Sequence, residues 1–353
     1  MNSISETSSG RQSRGFLLLT RRAWILDVGH GSATVVEDPP HVSVIDGGRG
    51  DTLLRFLAEQ GITHVDTVLV SHVDVDHFGG ISLLLSNTDV QVGRVLLNPD
   101  ARETELWRDF VSVMIDAKGR GAAFELELTD ASTVDLGSGN VRLDVLAPSQ
   151  ELAIRTANGR TTDDRQLTPN AMSAVVRIWS EGVPRVLVAG DIDHVGLESL
   201  RSNNSDVRAD VLVFPHHGGR PGRSDPSAFA EALTRAVEAK LVVFSIGRGR
   251  YGTPRPEIVA AVLRASRDVH IACTQLSEHC AADLPTNAPD LHAAFSRGTA
   301  TNACCAGSIE VLLEPGDSDY YPSRRAHLGF IRTNAPTALC RRAVSEPSSP
   351  IDP

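Results

Sequence analysis

The sequence has no long apolar run and few cysteines, and both absences limit the kind of protein it encodes. None of its apolar runs reaches the roughly 18 residues that a membrane-spanning helix needs. The apolar run over residues 15–19 is too short for a signal peptide. All five cysteines follow residue 270, which is not the distribution of a secreted disulfide framework. We therefore expect a soluble, cytoplasmic protein with no membrane partner.

Two common catalytic signatures are also missing. The chain contains neither a G-x-S-x-G nucleophile elbow nor a phosphate-binding P-loop. Its net charge of −10 argues against nucleic-acid binding through bulk charge, although a local basic groove is compatible with it. These absences exclude the two signatures as the basis of a site on this chain.

The order of the predicted elements favours one domain. The chain has 353 residues, 41% of them hydrophobic, and predicted strands come in runs with helices interleaved and no interior linker. This pattern predicts an α+β fold of two packed sheets with helices outside, over residues 15–315. We expect disordered tails at residues 1–14 and 316–353, where the composition is rich in Ser, Arg and Pro. A hairpin insertion that contains cysteine is expected near residues 275–303.

A dense cluster of potential metal ligands follows the apolar run at residues 65–70, which predicts a buried strand. The cluster consists of His72, Asp74, Asp76 and His77. On an extended chain the first three would share one face, and His77 would begin the next turn, before a predicted helix at residues 81–86. Imidazole and carboxylate together suit Zn²⁺, Mn²⁺ or Fe²⁺. The alternative is a polar loop with an Asp helix cap, which a lone Asp or His would favour.

Further polar residues stand at the ends of other predicted strands. Asp191 ends the apolar run at residues 187–190, and a carboxylate there could bridge two metal ions or simply cap a turn. His216 and His217 end another strand, where adjacent histidines are seldom core residues. Asp46 is expected to orient a ligand rather than to bind metal itself.

The cluster and its companions resemble a known family. The segment from His72 to His77 resembles the HxHxDH motif of the metallo-β-lactamase superfamily, with Asp in place of the second His. The surrounding segments resemble the β-lactamase-like domain of ComEC-type DNA internalisation proteins. Those segments are Leu26 to Gly31, Ile45 to Gly48, Asn170 with Ser173, Gly190-Asp191, His216 to Gly218, and Ser245 to Pro254. The resemblance implies a four-layer αββα sandwich with its site at strand ends between the sheets.

The resemblance also implies two divalent metal ions, zinc or manganese. One ion would be held by His72 and Asp74, the other by Asp76 and His77. Asp191 would bridge them, and one histidine of the adjacent pair, preferably His216, would complete the set, with His217 as its alternative. This chain departs from the family at two positions, since Thr253 stands where the family has His, and His30 stands where it has Gln. His30 is therefore an alternative ligand.

Such a site implies a hydrolase that uses a metal-bound hydroxide. Asp76 is the candidate for orienting water or taking its proton, and His77 is the second residue assigned to catalysis. Arginines near the ligand-bearing loops favour a phosphodiester substrate, DNA or RNA, and hence a phosphodiesterase or nuclease. The candidate substrate-binding residues are Asn170, Ser173, Arg220, Arg248, Arg250, Tyr251 and Thr253. The alternatives are a catalytically weakened binding or regulatory module and a hydrolase of another small ester or amide. No protein partner is indicated.

The cysteines lie apart from the candidate metal ligands in the sequence. Cys273 ends a predicted strand, Cys304 and Cys305 begin the next, and Cys280 lies in the insertion between them. The spacing is not that of a standard zinc finger. A structural metal site or a disulfide is one interpretation, and ordinary buried thiols are the other.

Overall fold

Two β-sheets run through the part of the chain that the computed structural model describes. The described residues are 20–98, 104–155, 159–203, 206–285, 295–314 and 319–341. Within them the sheets have eight and seven strands. The predicted N-terminal tail, residues 1–14, lies outside these ranges.

The first sheet is built mostly from the N-terminal part of the chain. Its strands are β1 (Arg22–Ile25), β2 (Thr34–Asp38), β3 (His41–Ile45), β4 (His64–Val70), β5 (Gln91–Leu97), β6 (Ala123–Glu125), β14 (Ile309–Leu312) and β15 (Tyr320–Tyr321). Their order across the sheet is β15-β14-β1-β2-β3-β4-β5-β6. The pairs from β3 to β6 are parallel and the others are antiparallel.

The second sheet follows in the chain. Its strands are β7 (Thr133–Leu136), β8 (Val141–Ala147), β9 (Val175–Ser180), β10 (Val183–Val188), β11 (Val211–Val213), β12 (Leu241–Phe244) and β13 (His270–Cys273). They lie side by side in reverse chain order, from β13 to β7. Strands β10 to β13 are parallel, so their carboxyl ends reach one edge of the sheet.

Helices cover the outer faces of both sheets. They are α1 (Thr52–Gln60), α2 (Val75–Ser86), α3 (Glu105–Gly119), α4 (Gln150–Arg155), α5 (His194–Asn203), α6 (Pro226–Val237), α7 (Pro256–Ala265) and α8 (Arg324–Asn334). Short 3₁₀ turns occur at Asn170–Met172, Pro215–Gly218 and Arg297–Thr301. No helix of the described segments is both long and apolar enough to cross a membrane.

Strand alternation explains the layers. In β4, Leu69 faces the core between the two sheets, whereas Val68 and Val70 face the core shared with α1, α2 and α3. A third core lies between the second sheet and α5 to α8. Helix, sheet, sheet and helix therefore form four layers, and the predicted αββα sandwich is confirmed.

Two predictions of local structure fail. Helix α2 begins at Val75 rather than near Ile81, because the backbone N–H groups of His77 and Phe78 donate to the Asp74 carbonyl, at 2.8 and 3.0 Å. Asp76 therefore lies in a first helical turn, not on an extended face with His72.

The predicted disorder after residue 315 is wrong for residues 319–341. Helix α8 buries Phe330 and Ile331 in the core outside the second sheet, so its apolar stripe outweighs the polar average composition. Its N-cap Ser323 accepts a hydrogen bond from the Ala326 N–H. Residues 342–353 lie outside the described ranges.

Two glycines let α2 approach the loop after β3. The Gly47 N–H donates to the His77 carbonyl at 2.7 Å, and the Gly80 N–H donates to the Gly48 carbonyl at 2.8 Å. A Cβ on Gly80 would lie 2.0 Å from the Gly47 carbonyl oxygen, and that oxygen belongs to fixed backbone. Only glycine therefore lets the helix that carries His77 sit this close.

We expect Gly80→Ala to lower the free energy of unfolding by about 1–3 kcal/mol, because the new methyl group would push α2 away from the loop. Gly329→Ala is the matched control, since a Cβ there meets nothing within 4 Å. The control should gain roughly 0.5–1 kcal/mol from helix propensity. Urea denaturation measures the free energy of unfolding of both variants and of the wild-type protein. Equal effects of the two changes would contradict the packing argument.

Candidate metal centre

The predicted ligands converge at one end of the sandwich because several strands of both sheets end there. His72 follows β4, and His77 belongs to the first turn of α2. Asp191 follows β10, the His216–His217 pair follows β11, and His30 lies in the loop between β1 and β2. Residues distant in sequence thus meet between the sheets.

The first group of ligand atoms comes from His72, His77 and Asp191, and all of these atoms lie within 4.8 Å of one another. His77 Nε2 is 3.4 Å from Asp191 Oδ1, and the rings of His72 and His77 are 4.1 Å apart. Asp74 joins this group from its solvent side, with Oδ2 3.5 Å from His72 Nε2.

The second group consists of His30, Asp76 and His217, whose ligand atoms meet the same distance limit. Asp76 Oδ2 is 3.4 Å from His30 Nε2 and 3.7 Å from His217 Nε2. His217 Nε2 is also 3.8 Å from Asp191 Oδ1, so the two groups adjoin at Asp191.

The grouping differs from the one that the family resemblance implies. His77 groups with His72 and Asp191 rather than with Asp76, and His30 and His217 complete the second group. His216, the preferred histidine of the pair, lies beside Asp191 instead, with Nδ1 3.5 Å from Oδ2 and its backbone N–H 3.0 Å from Oδ1.

Backbone conformation explains the placement of the histidine pair. His216 and His217 both have positive φ, 52° and 55°, and Asp46 has φ 56°. Residues other than glycine rarely adopt this left-handed region, and each costs about 1–3 kcal/mol. Such strained positions concentrate at functional sites. The turn directs both imidazoles toward Asp191, which a regular strand could not do because its side chains alternate.

Asp46 orients His77. Its Oδ2 is 2.8 Å from His77 Nδ1, and its other oxygen accepts the Ser71 backbone N–H at 2.8 Å. The Ser71 hydroxyl donates to Asp46 Oδ2, also at 2.8 Å. Asp46 and His77 are both fully buried. This contact fixes the ring and leaves Nε2 facing the other ligands.

Neighbouring charges shift the pKa values of Asp191 and His77 in opposite directions. Burial alone would raise the pKa of Asp191, but His216, His77 and His217 hold that pKa well below its usual value. Burial alone would lower the pKa of His77, yet the Asp46 and Asp191 carboxylates hold it well above its usual value. The Asp191 carboxylate and the His77 imidazole therefore stabilise each other's charged forms.

Burial favours the neutral imidazole at His30, His216 and His217. Burial, followed by the charge of His217, lowers the pKa of His30 to about 4. Burial also lowers the pKa values of His216 and His217. Neutral imidazole keeps the lone pair that a metal ion binds.

Unpaired buried nitrogens support a metal in this position. Each of the five histidines has one buried ring nitrogen with no hydrogen-bond partner. These atoms are His30 Nδ1 and the Nε2 atoms of His72, His77, His216 and His217. Leaving buried polar atoms unpaired is costly, and a divalent ion would satisfy those Nε2 atoms that face the carboxylates. Nitrogen and carboxylate donors in this number fit zinc or a similar ion.

Two predicted substrate residues have internal roles instead. The Ser173 hydroxyl is fully buried, accepts the Asp191 N–H at 2.9 Å and lies 3.3 Å from His72 Nδ1, so it supports ligands. The Arg248 guanidinium donates to the carbonyls of Leu276, Ala281 and Ala282, so it braces the insertion. Both side chains are engaged in protein contacts, and their assignment to substrate binding stays a prediction.

The other predicted substrate residues lie around the site. Tyr251 and Arg250 are exposed, and the Tyr251 ring lies 4.6 Å from that of His30. Arg220 is exposed after the histidine turn. Thr253 is buried, with its hydroxyl donating to the Arg250 carbonyl at 3.3 Å. Asn170 is half-buried at the start of a 3₁₀ turn.

Sequence reasoning missed Arg297 at this end of the sandwich. Its guanidinium donates to the Arg49 carbonyl at 3.3 Å, and its side chain passes beside Gly29. Asp27 holds this segment in place by accepting the Gly298 N–H at 2.8 Å. The segment is more than 260 residues from Asp27 in the chain, so no local pattern could reveal the contact.

The cysteines are free thiols. Cys273, Cys280, Cys304 and Cys305 are buried and unbridged, which agrees with the interpretation as ordinary buried thiols and not with a disulfide. No cysteine of the described segments belongs to a metal-ligand group either. The Cys305 N–H donates to the Thr274 carbonyl at 3.0 Å, so the two segments do lie side by side as expected. Burial raises the pKa of all four thiols, as expected of ordinary core cysteines.

The fold and the site together define a class. Imidazoles and carboxylates gathered at strand ends between the sheets of an αββα sandwich are those of a metal-dependent hydrolase. Residues 26–224, more than half of the chain, match the metallo-beta-lactamase superfamily. The chain belongs to that superfamily.

Individual relatives are more distant. The chain is similar to ComE operon protein 3 of Bacillus subtilis (strain 168), with 26% identity over 215 residues that cover 61% of this chain and 24% of that protein. It therefore spans about a quarter of that relative's length.

Two solved structures show a weak likeness to this chain. Igni18, a metallo hydrolase from Ignicoccus hospitalis KIN4/I, has 14% identity and a TM-score of 0.41, with 72% of this chain and 95% of that chain covered. Zn²⁺-bound PqqB from Methylobacterium extorquens has 13% identity and a TM-score of 0.43, with coverages of 69% and 85%. Both TM-scores are below 0.5, so the family assignment depends on the sequence match.

We expect Asp46→Asn to weaken zinc binding by about 10- to 100-fold, because the amide cannot hold His77 through a charged contact. Asp66→Asn is the matched control, because Asp66 makes a similar contact with a histidine that is not a candidate ligand. Its Oδ1 is 3.1 Å from His41 Nδ1. Competition against a chromophoric chelator measures both affinities. If the two variants bind zinc equally well, Asp46 does not orient a ligand.

Proposed function

We propose that the chain is a phosphodiesterase or nuclease that works with two divalent ions, zinc or manganese. The observation that carries the proposal is the pair of ligand groups that adjoin at Asp191, with exposed arginines on the loops beside them. Each group would hold one ion. Asp191 Oδ1 lies within 4 Å of a histidine nitrogen from each group, His77 Nε2 in the first and His217 Nε2 in the second. Metal pairs of this kind lower the pKa of bound water and neutralise phosphate charge.

The residues of the chain have distinct parts in this proposal. His72, His77 and Asp191 are buried and fixed by hydrogen bonds, which suits ligands that must not move. Asp76 is half-buried at the open side of the site, so its carboxylate can orient an attacking water or take its proton. His77 has one nitrogen held by Asp46 and the other facing Asp191, which suits a ligand better than a proton carrier.

Phosphate recognition would come from the two loops beside the ligands. Arg220 and Arg223 follow the histidine turn, and Arg250 precedes Tyr251; all three arginines are exposed. Guanidinium groups bind phosphate oxygens in pairs of parallel hydrogen bonds. A chain with net charge −10 that presents arginines beside its metal ligands concentrates positive charge where a phosphodiester would bind.

Two other functions stay as alternatives. Thr253 offers no ligand, so the chain could be a binding or regulatory module that holds metal without turnover. His30 supplies an imidazole to the second group, which favours a complete site over a weakened one. Hydrolysis of a small ester or amide is the other alternative, and the exposed arginines favour phosphate over it.

Cleavage of bis-p-nitrophenyl phosphate, single-stranded DNA, duplex DNA and RNA, with Mn²⁺ or Zn²⁺ present, tests the proposal. We expect His72→Ala to retain less than about 1% of wild-type activity, a loss of at least about 2.7 kcal/mol in transition-state stabilisation. His64→Ala is the matched control, because His64 is an exposed residue of the same strand, and it should keep full activity.

Metal content separates the outcomes. Fewer than one tightly bound ion per chain would reject the enzyme proposal. Two bound ions without cleavage of any phosphodiester would favour the binding module or the other hydrolase. Activity that survives His72→Ala would mean that the reaction takes place elsewhere on the chain.

A further inference from the structure

An exposed aromatic ring stands at the open side of the metal centre. The Tyr251 side chain contacts His30 with ring centroids 4.6 Å apart and planes inclined by 52°. His30 Nε2 is in turn 3.4 Å from Asp76 Oδ2 in the second ligand group. Yet 70% of Tyr251 is exposed to solvent. The ring thus touches the site on one side and leaves most of its surface free.

The backbone holds this ring in an unfavourable conformation. Tyr251 has φ 55°, in the left-handed region that bulky residues avoid. Strain of this kind persists only where the surrounding structure enforces it, and it concentrates at functional sites. An exposed tyrosine recovers little of that cost by burial, so packing alone does not explain why it is here.

Contacts on both sides enforce the loop geometry. The Arg250 N–H donates to the Gly247 carbonyl at 3.1 Å, and His279 Nε2 lies 3.2 Å from the Gly252 carbonyl. The braced guanidinium of Arg248 anchors the start of the loop. The tip that carries Tyr251 is therefore presented by a fixed base, as a preorganised binding surface requires.

Arg250 precedes Tyr251 in the chain and is also exposed, so the tip of this loop presents a cationic side chain as well as an aromatic ring. Among the described residues the other large exposed aromatic is Tyr321, which belongs to the edge strand β15 of the first sheet. Proteins that bind single strands combine cationic groups along the backbone with aromatic rings on which bases stack.

We propose that Tyr251 is a stacking platform for one unpaired nucleobase beside the phosphodiester that is cleaved. The inference rests on the proposed function and adds the substrate class, which is single-stranded nucleic acid. A base in a duplex is stacked on its neighbours and paired, so its face is not available to the ring. Arg250 would bind the adjoining phosphate while Tyr251 binds the base.

The test compares two substrates that share a backbone. One is a short oligodeoxythymidylate, and the other is an abasic oligodeoxynucleotide of the same length, which has the same phosphates and no bases. The measured quantity is the ratio of kcat/KM for the first to kcat/KM for the second, in the full chain loaded with Mn²⁺. Stacking affects this ratio, whereas general damage to the metal centre lowers both rates together.

We expect Tyr251→Ala to reduce this ratio by at least about fivefold, the lower end of the effect that base stacking has on binding. Tyr251→Phe keeps the aromatic face and should retain the wild-type ratio. Tyr321→Ala is the matched control for loss of an exposed tyrosine away from the site, and it should also retain the ratio. The expected loss should appear mainly in KM, because the ring binds a part of the substrate that does not react.

Other results would overturn the inference in distinguishable ways. An unchanged ratio in Tyr251→Ala, or an equal loss in Tyr251→Phe, would exclude stacking while leaving phosphodiester cleavage intact. If wild-type protein cleaves neither oligomer, the wider substrate panel described above decides on the proposed function, and fluorescence anisotropy of the same labelled oligomers decides on stacking. Equal affinity of wild-type protein and Tyr251→Ala for the thymidylate oligomer, or no binding at all, would reject the platform.

Discussion

The carboxylate of Asp191 is buried between the sheets within 4 Å of nitrogens from three histidines, His77, His216 and His217. A carboxylate so far from water is stable only where positive charge or a cation faces it. Those nitrogens reach it because three strands end at one place and because the histidine turn adopts positive φ angles. The positions of these strand ends and of the histidine turn are therefore tied to the Asp191 carboxylate. A shift of any of them would leave this buried charge without a partner.

The candidate ligands are held in place by residues that are not ligands themselves. Asp46 fixes the ring of His77, and Ser173 holds both His72 and the backbone of Asp191. The glycines at positions 47 and 80 bring α2 close enough for Asp46 to reach His77. Metal affinity in this chain is thus a property of packing as much as of the donor atoms.

The sequence was most informative where chemistry is local. The ligands from His72 to His77 stand within six residues and carry the family resemblance, which implies the αββα sandwich and the place of the site. The order of the predicted strands and helices independently predicts two packed sheets with helices outside. The choice between His216 and His217 depended on a turn with positive φ, which neighbouring residues do not reveal. The role of Arg248 depended on carbonyls about 30 residues away, and α8 was hidden by a polar average composition. The role of Arg248 and the order of α8 depend on contacts between distant segments, whereas the histidine turn depends on its own backbone conformation.

The pairing of β1 has a consequence for how the chain is made. Strand β1 lies between β2 and β14, and Arg22 stands opposite Leu312. A ribosome must therefore synthesise nearly the whole domain before the first strand gains its second neighbour. Until then an apolar strand edge stays open, and such edges invite pairing with other chains. Closing the sheet is a long-range step, which makes it slow compared with forming the hairpin of β9 and β10. The newly made chain is accordingly most exposed to aggregation just before β14 is added.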